Sequence, residues 1–328
     1  EAFGHHRQAL NTFKEISHPL GQLTQLSHLG WIDQIRGDWD SALVYYQEAL
    51  EISRDIGFPQ GEASQLSNIG AVYQRKGLND VSLHYHRQAL EIDEKTGFER
   101  GEAQDLLSMG WAYESRGELE QALKLYKKSA KLNRKVGFKQ GEASALSSMS
   151  LVHQKQGRSD EALKFLNQAL VLQGELGNRP GEADMLRIIA MIYKVEGELD
   201  SALGSHQEAA RIYKEIGNEN SYARQLVSIG DIYRDQGNLD EALKYFEAAL
   251  EVNKALKDEH GEATTLTKVA FIHLSKGDSQ KALGLARQSL SIFQSLGADK
   301  EAATVAENIK KVEQMLQQRE KEAKQEKQ

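Results

Sequence analysis

The chain has 328 residues, 40% hydrophobic and 27% charged, the balance of a soluble folded protein. Its formal net charge is −7, from 41 basic and 48 acidic residues mixed along the length, and the absence of a basic run argues against nucleic acid as a partner. There is no cysteine, which excludes disulfides, thiol catalysis and cysteine-ligated zinc and suits a reducing compartment; with no apolar stretch near the roughly 18–20 residues of a membrane span and no signal peptide, a cytoplasmic protein without a membrane partner is expected.

In chain order, residues 1–17 read as one helix over 3–16, the second helix of a hairpin that lacks its first. The chain begins at Glu1 inside a repeat and without Met, so a fragment of a longer protein is expected. From 18 to 297 the sequence falls into seven rows of forty without a gap. One column is Leu throughout (Leu26, Leu66 and so on to Leu266), another is Leu from Leu43 to Leu283, and a third is Gly from Gly37 to Gly277. Such strict self-similarity overrides the two or three domains that length alone suggests.

Within a row the apolar spacing is helical. Ala63, Leu66, Ile69, Gly70 and Tyr73 fall on one face of a helix over about 61–76, called helix A, and Leu83, Ala89, Leu90 and Ile92 mark helix B over about 79–96. Gly77 breaks the chain between them. Pro19, Pro59 and Pro180, the only prolines, sit in or beside the recurring loop, as they must where helix interiors exclude proline. The helix A column Gly30, Gly70, Gly110, Ser150, Ala190, Gly230, Ala270 admits only small residues, which predicts close helix crossing there. The Ala42 column of helix B reads the same way.

The loop recurs as "GFPQGEA" at 57–63, "GFERGEA" at 97–103 and "GFKQGEA" at 137–143. Gly57 is placed to end helix B in the left-handed conformation, and Phe58 to make the apolar contact of a C-terminal cap. Phe gives way to Asn178 and Asn218 in later rows. Glu62, Glu102, Glu142, Glu182 and Glu262 open five of the seven helices A, where a negative charge suits the helix dipole. After the rows, 298–316 reads as a capping helix with Ala303, Ala306, Ile309 and Val312 on its packing face and Lys310 in place of the small residue. Residues 317–328 read as a frayed or solvated charged tail.

No catalytic constellation stands out. The phosphate loop, HExxH, nucleophile elbow and EF-hand patterns are all missing, so neither an enzyme nor a cofactor or metal is expected. His6, His86 and His206 share the helix B column held elsewhere by Tyr46, Tyr126 and Phe246, which predicts core rings rather than ligands. His84 and His86 lie on different helix faces and make a poor chelate.

The spacing Leu66, Ile69, Gly70, Tyr73, Gly77, Ser82, His86, Ala89, repeated at Leu226, Ile229, Gly230, Tyr233, Gly237, Ala242, Phe246, Ala249, resembles the tetratricopeptide repeat. With a period of forty and no closing proline, the chain is similar to the forty-residue subclass of the Pins/LGN adaptors, kinesin light chain and bacterial signalling proteins. The resemblance implies an all-α solenoid, a right-handed superhelix of antiparallel helical hairpins, with helix A lining a concave groove. The column after the small residue would face that groove: Trp31, Ala71, Trp111, Leu151, Met191, Asp231 and Phe271. Its neighbours include Gln34, Gln74, Glu114, Gln154, Lys194 and Arg234, then Arg75, and one turn earlier Arg187. Asn68 alone matches the asparagine ladder of Pins/LGN, so clamping of a peptide backbone by that ladder is not implied. The expected function is a non-catalytic scaffold binding a peptide or helical segment of a partner protein. Alternatives are a regulatory or sensor module of a larger ATPase or caspase-like protease, and a homo-oligomer formed through an exposed N-terminal helix face at Phe3, Leu10, Phe13 and Ile16.

Overall fold

The structure, a computed structural model, describes residues 2–325, of which 319, 320 and 322–325 by backbone alone. Sixteen helices and no strand are found among the described residues. They divide into two compact units, the second beginning at Asn178. Nothing in the forty-residue register marks that boundary.

The first unit holds α1 (Ala2–Glu15), α2 (Pro19–Arg36), α3 (Trp39–Asp55), α4 (Pro59–Arg75), α5 (Asn79–Thr96), α6 (Glu99–Ser115), α7 (Leu119–Lys135), α8 (Lys139–Lys155) and α9 (Ser159–Glu175). The second holds α10 (Arg179–Val195), α11 (Leu199–Glu215), α12 (Glu219–Asp235), α13 (Leu239–Leu256), α14 (Glu259–Ser275), α15 (Ser279–Ser295) and α16 (Asp299–Gln325). In each unit every helix packs on the next in the chain, and in the first α6 also touches α4 and α8. Each unit is therefore a stack of antiparallel hairpins, an α-solenoid, with even-numbered helices as helix A and odd-numbered as helix B.

The small column is explained by what lies across the hairpin. A Cβ built on Gly30 would lie 2.7 Å from the Tyr46 ring and one on Gly230 2.6 Å from Phe246, while one on Gly110 would collide with Tyr126. Tyr46, Tyr126 and Phe246 are among the largest fully buried side chains. The rings of helix B thus rest on the backbone of helix A, and closeness rather than flexibility selects glycine there.

The loops resolve into two interchangeable devices. Gly57 adopts φ 64, its N–H donates to the Arg54 carbonyl and that of Phe58 to the Ser53 carbonyl, the paired bonds of a Schellman cap. The Phe58 ring then lies against Gly61, as Phe98 and Phe138 lie against Gly101 and Gly141. At positions 18, 178, 218 and 258, which lack the phenylalanine, a polar side chain caps the next helix instead. Asn218 accepts from the Ser221 N–H at 3.1 Å, Asp258 from Gly261 at 2.9 Å, and His18 Nδ1 from Gly21 at 2.9 Å. Lys257 holds the glycine position with φ 57 and Ser17 with φ 51.

The loop glutamates do more than complement a dipole. Glu62 accepts from Arg54 at 2.8 Å and Glu142 from Arg134 at 2.6 Å, so the last turn of one helix is tied to the first turn of the next. In the third row the basic partner is replaced by Glu94. Burial first, then the charges of Glu94 and Glu99, push the Glu102 carboxyl above its usual range. A second tie spans 36 residues: Lys76 to Asp40 at 2.6 Å, Gln156 to Glu120 at 3.0 Å, Gln236 to Asp200 at 3.0 Å and Lys276 to Asp240 at 2.5 Å.

Two expectations about the ends need correction. In α16 the buried residues are Ala302, Val305 and Ile309, with Val312 and Leu316 packed beside them, whereas Ala303 and Ala306 are exposed. The Ala303 column elsewhere faces its own helix B: the Ala103 carbonyl accepts from Ser129 and the Ala263 carbonyl from Ser289. No helix B follows α16 among the described residues, so its packing face rotates toward the helices before it. The helix also runs on to Gln325, past the expected end at 316; residues 326–328 of the expected tail lie outside the described residues. At the other end, Leu10 is buried with Leu26, Leu29 and Ala49, Phe3 packs edge-on to Tyr45, and Phe13 lies on Gly21. Only Ile16 of the expected exposed face is largely open.

Candidate functional site

A helix turns by about 100° per residue. The residue after each small position is therefore rotated away from the helix B on which that position rests. In the first unit this places Trp31, Trp111 and Leu151 in solvent, and in the second Met191 and Phe271. Trp31 is 59% exposed, Trp111 36% and Phe271 53%, unusual values for large apolar side chains. Ala71 and Asp231 are half-buried.

In the first unit the neighbouring side chains are fixed from behind. The Tyr46 hydroxyl donates to Gln34 Oε1 at 3.0 Å, and the Tyr126 hydroxyl donates to Glu114 Oε2 at 2.7 Å. Burial pushes the Tyr46 phenol up to about 12 and, aided by Glu114, drives Tyr126 higher still. Glu114 also receives Lys155 at 2.5 Å, so its charge is already matched. The Trp111 indole N–H donates to Ser148 Oγ at 2.9 Å, and Gln154 donates to Ser150 Oγ at 3.2 Å. Asn68 donates to Gln65 at 3.4 Å. Gln74 is half-buried and Arg75 exposed, and Arg75 has no ion-pair partner among the described residues.

In the second unit the charges answer one another. Asp231 receives Lys268 at 2.9 Å and Arg234 at 2.8 Å. Asp235 receives Arg234 at 2.8 Å and Lys194 at 3.3 Å. Burial raises the Asp235 carboxyl, but these hydrogen bonds outweigh it and hold the group below its usual range. Arg187 lies 3.9 Å from Asp184 and 3.5 Å from the Met191 sulfur. Asp184 also accepts from the Tyr213 hydroxyl at 2.6 Å. Arg187, Lys194 and Arg234 are thus part of a neutralised lattice around Met191 and Phe271, not a bare cationic patch.

In the histidine column His86 and His206 are core and His6 is half-buried, and all three have a partner that periodicity does not reveal. His6 Nδ1 lies 2.8 Å from Gln25 Oε1, His86 3.0 Å from Asp105 Oδ1 and His206 2.8 Å from Gln225 Oε1. Each pair is 19 residues apart and joins helix B to the next helix A. Leu166, in the same column, stands in the row of Met185, and needs no polar partner. Burial lowers the His206 pKa. No group of three potential metal ligands occurs among the described residues.

A buried carboxylate without a full set of partners lies on α5. Asp93 is buried, and its Oδ1 has no hydrogen-bond partner in the structure. Burial, then the charges of Asp105 and Glu102, push its carboxyl up to about 7. Asp105 is raised by burial, against the opposing effect of His86 and of Ser67, whose hydroxyl donates to it at 2.5 Å. One hundred and sixty residues on, the equivalent pair is Asn253 donating to Thr265 at 3.2 Å. Two acceptors have replaced a donor and an acceptor.

Among solved structures, the fold is similar to that of a signal-transduction ATPase with numerous domains that carries a tetratricopeptide repeat sensor, from Pyrococcus horikoshii (TM-score 0.74, 16% identity, 91% of this chain and 46% of that one). The chain thus spans about half the length of that protein. It is also similar to the apo quorum sensor NprR from B. thuringiensis (0.61, 17%, 89% and 82%) and to BtubC (BKLC) from P. vanneervenii (0.57, 18%, 66% and 91%). Comparison with curated proteins gives no significant match. No helix among the described residues is long and apolar enough to cross a membrane. Tetratricopeptide repeat family patterns match residues 22–56, 62–135, 141–215 and 221–295, so the chain belongs to the tetratricopeptide repeat family.

Proposed function

We propose that the chain is a protein-interaction scaffold whose exposed helix A faces bind a peptide or helical segment of a partner. The observation that carries this reading is the column of large apolar side chains held in solvent, Trp31 and Trp111 above all. Exposed tryptophans amid fixed polar neighbours are the anchors from which interfaces draw most of their affinity. Gln34 and Glu114, held by the tyrosines behind them, would set the orientation of the bound segment in the first unit. On this reading the chain carries out no chemistry of its own. A photo-crosslinking residue at position 31 should capture the partner from cell extract. Trp31→Ala and Trp111→Ala should then weaken its binding by about tenfold or more each, while circular dichroism stays unchanged. Unaltered affinity in both folded variants rejects the reading.

A second reading, a sensor module within a larger protein, is supported by the Pyrococcus horikoshii ATPase, of which the chain spans 46%. The full-length gene tests it: an adjoining catalytic domain supports a sensor, and a free-standing repeat protein rejects one.

A further inference from the structure

Helix B carries one large buried residue per hairpin at a fixed register: Tyr46, His86, Tyr126, Leu166, His206 and Phe246. The seventh position is Ala286. Nothing in α15 replaces the missing ring. A cavity of about 410 Å³ opens there instead, between α14, α15 and α16.

The walls of this cavity follow those of an occupied slot one repeat earlier, with Ala270 in place of Gly230, and Ala190 with the buried His206 already pairs an alanine and a ring in these two columns. Phe246 is fully buried against Val269 and Ile272, with Val227 beside it, and its ring rests on Gly230. Forty residues on, Thr267, Ile309 and Val312 stand in the places of Val227, Val269 and Ile272, and all three line the cavity. The lining is mainly apolar; its polar members are Asn308, Lys311 and Thr267, whose hydroxyl is engaged by the Ala263 carbonyl and Ser289. Phe271 and Met315, both exposed, also line it. Phe271 belongs to the helix A column assigned above to partner binding.

We propose that this vacancy in the last hairpin is a specificity pocket for an aromatic side chain of the partner, seated where Phe246 sits one repeat earlier. The occupant is indicated by the chain's own precedent: the same wall positions already enclose a phenylalanine. The volume falls within the roughly 300–1,000 Å³ of ligand pockets. The proposal rests on the scaffold reading and adds the chemistry that the second unit would select.

The test uses N-acetyl-phenylalaninamide and N-acetyl-alaninamide as probes on the full chain, with methyl-labelled isoleucine and valine read by NMR. The phenylalanine probe should shift the Ile309 and Val312 methyls saturably, and the alanine probe should not. Ala286→Phe supplies the ring from within. It should raise Tm and weaken the phenylalanine probe by about tenfold or more. Ala286→Leu, which copies Leu166, serves if the larger residue misfolds. Absence of methyl shifts overturns the proposal. Equal probe binding by a folded, filled variant does so too, as does a fall in Tm for both fillers. None of these outcomes touches Trp31 and Trp111, so the scaffold reading stands or falls separately.

Discussion

Replacing Asp93 by Asn should stabilise the first unit, and only where Asp93 would be ionised. The wild-type carboxyl moves from 3.8 to about 7 on folding, so the folded state holds its proton more tightly than the unfolded chain. The cost of Asp93 is therefore absent below about pH 4, grows as pH rises, and levels off above about 7, with a ceiling of about 4 kcal/mol. The groups facing it are Asp105 and Glu102, with His86 bonded to Asp105. An amide at 93 carries no charge and can donate to Asp105, whose Oδ2 has no partner, as Asn253 donates to Thr265. All three tryptophans, at 31, 39 and 111, lie in the first unit, so their fluorescence during urea unfolding reports that unit. At pH 8 the variant should be more stable by about 2–4 kcal/mol, and at pH 4 the gap should shrink below about 1 kcal/mol. A gap independent of pH, or a variant less stable at pH 8, would refute the reasoning.

Gly230→Ala should cost about 1–3 kcal/mol in chemical denaturation, because the new methyl meets the Phe246 ring. Adding Phe246→Leu should cost less than it does alone, since Ser150 and Leu166 already pair these columns. Lys257→Gly should raise stability by about 1 kcal/mol, measured by Tm, because φ 57 strains any residue with a Cβ. Asp258→Ala should lose about 1 kcal/mol with the cap to Gly261; Asp258→Phe should recover part of it by copying Phe58 on Gly61, and equal losses would refute the equivalence of the two loop devices.

The exposure of the helix A column has a local cause. Trp31, Leu151, Met191 and Phe271 are open because each follows a residue pinned against helix B, and that much is legible in the spacing. What surrounds them was less so. Arg187, Lys194 and Arg234 are legible as neighbours of the column, but which of them meet Asp184, Asp231 and Asp235 is settled only by the side-chain geometry. Arg187–Asp184 and Arg234–Asp231 are i,i+3 pairs within one helix, whereas Lys194–Asp235 depends on side-chain reach between helices 41 residues apart in sequence. The histidines show the same boundary. Their burial followed from exchange with tyrosine and phenylalanine, while their partners 19 residues on did not.

By itself, the sequence determined the period, the two helices of each repeat, the left-handed glycines between them and the side of helix A that meets helix B. These are local consequences of a 3.6-residue turn and of residues that can or cannot bear a positive φ. The tertiary structure alone decided the division before Asn178, the rotated face of α16, the unmatched Asp93 and the space beside Ala286. Each of these depends on which surfaces meet across helices and how much volume lies between them. A column of residue types records what stands at a position, but the gap left by a missing ring belongs to the helices that surround it.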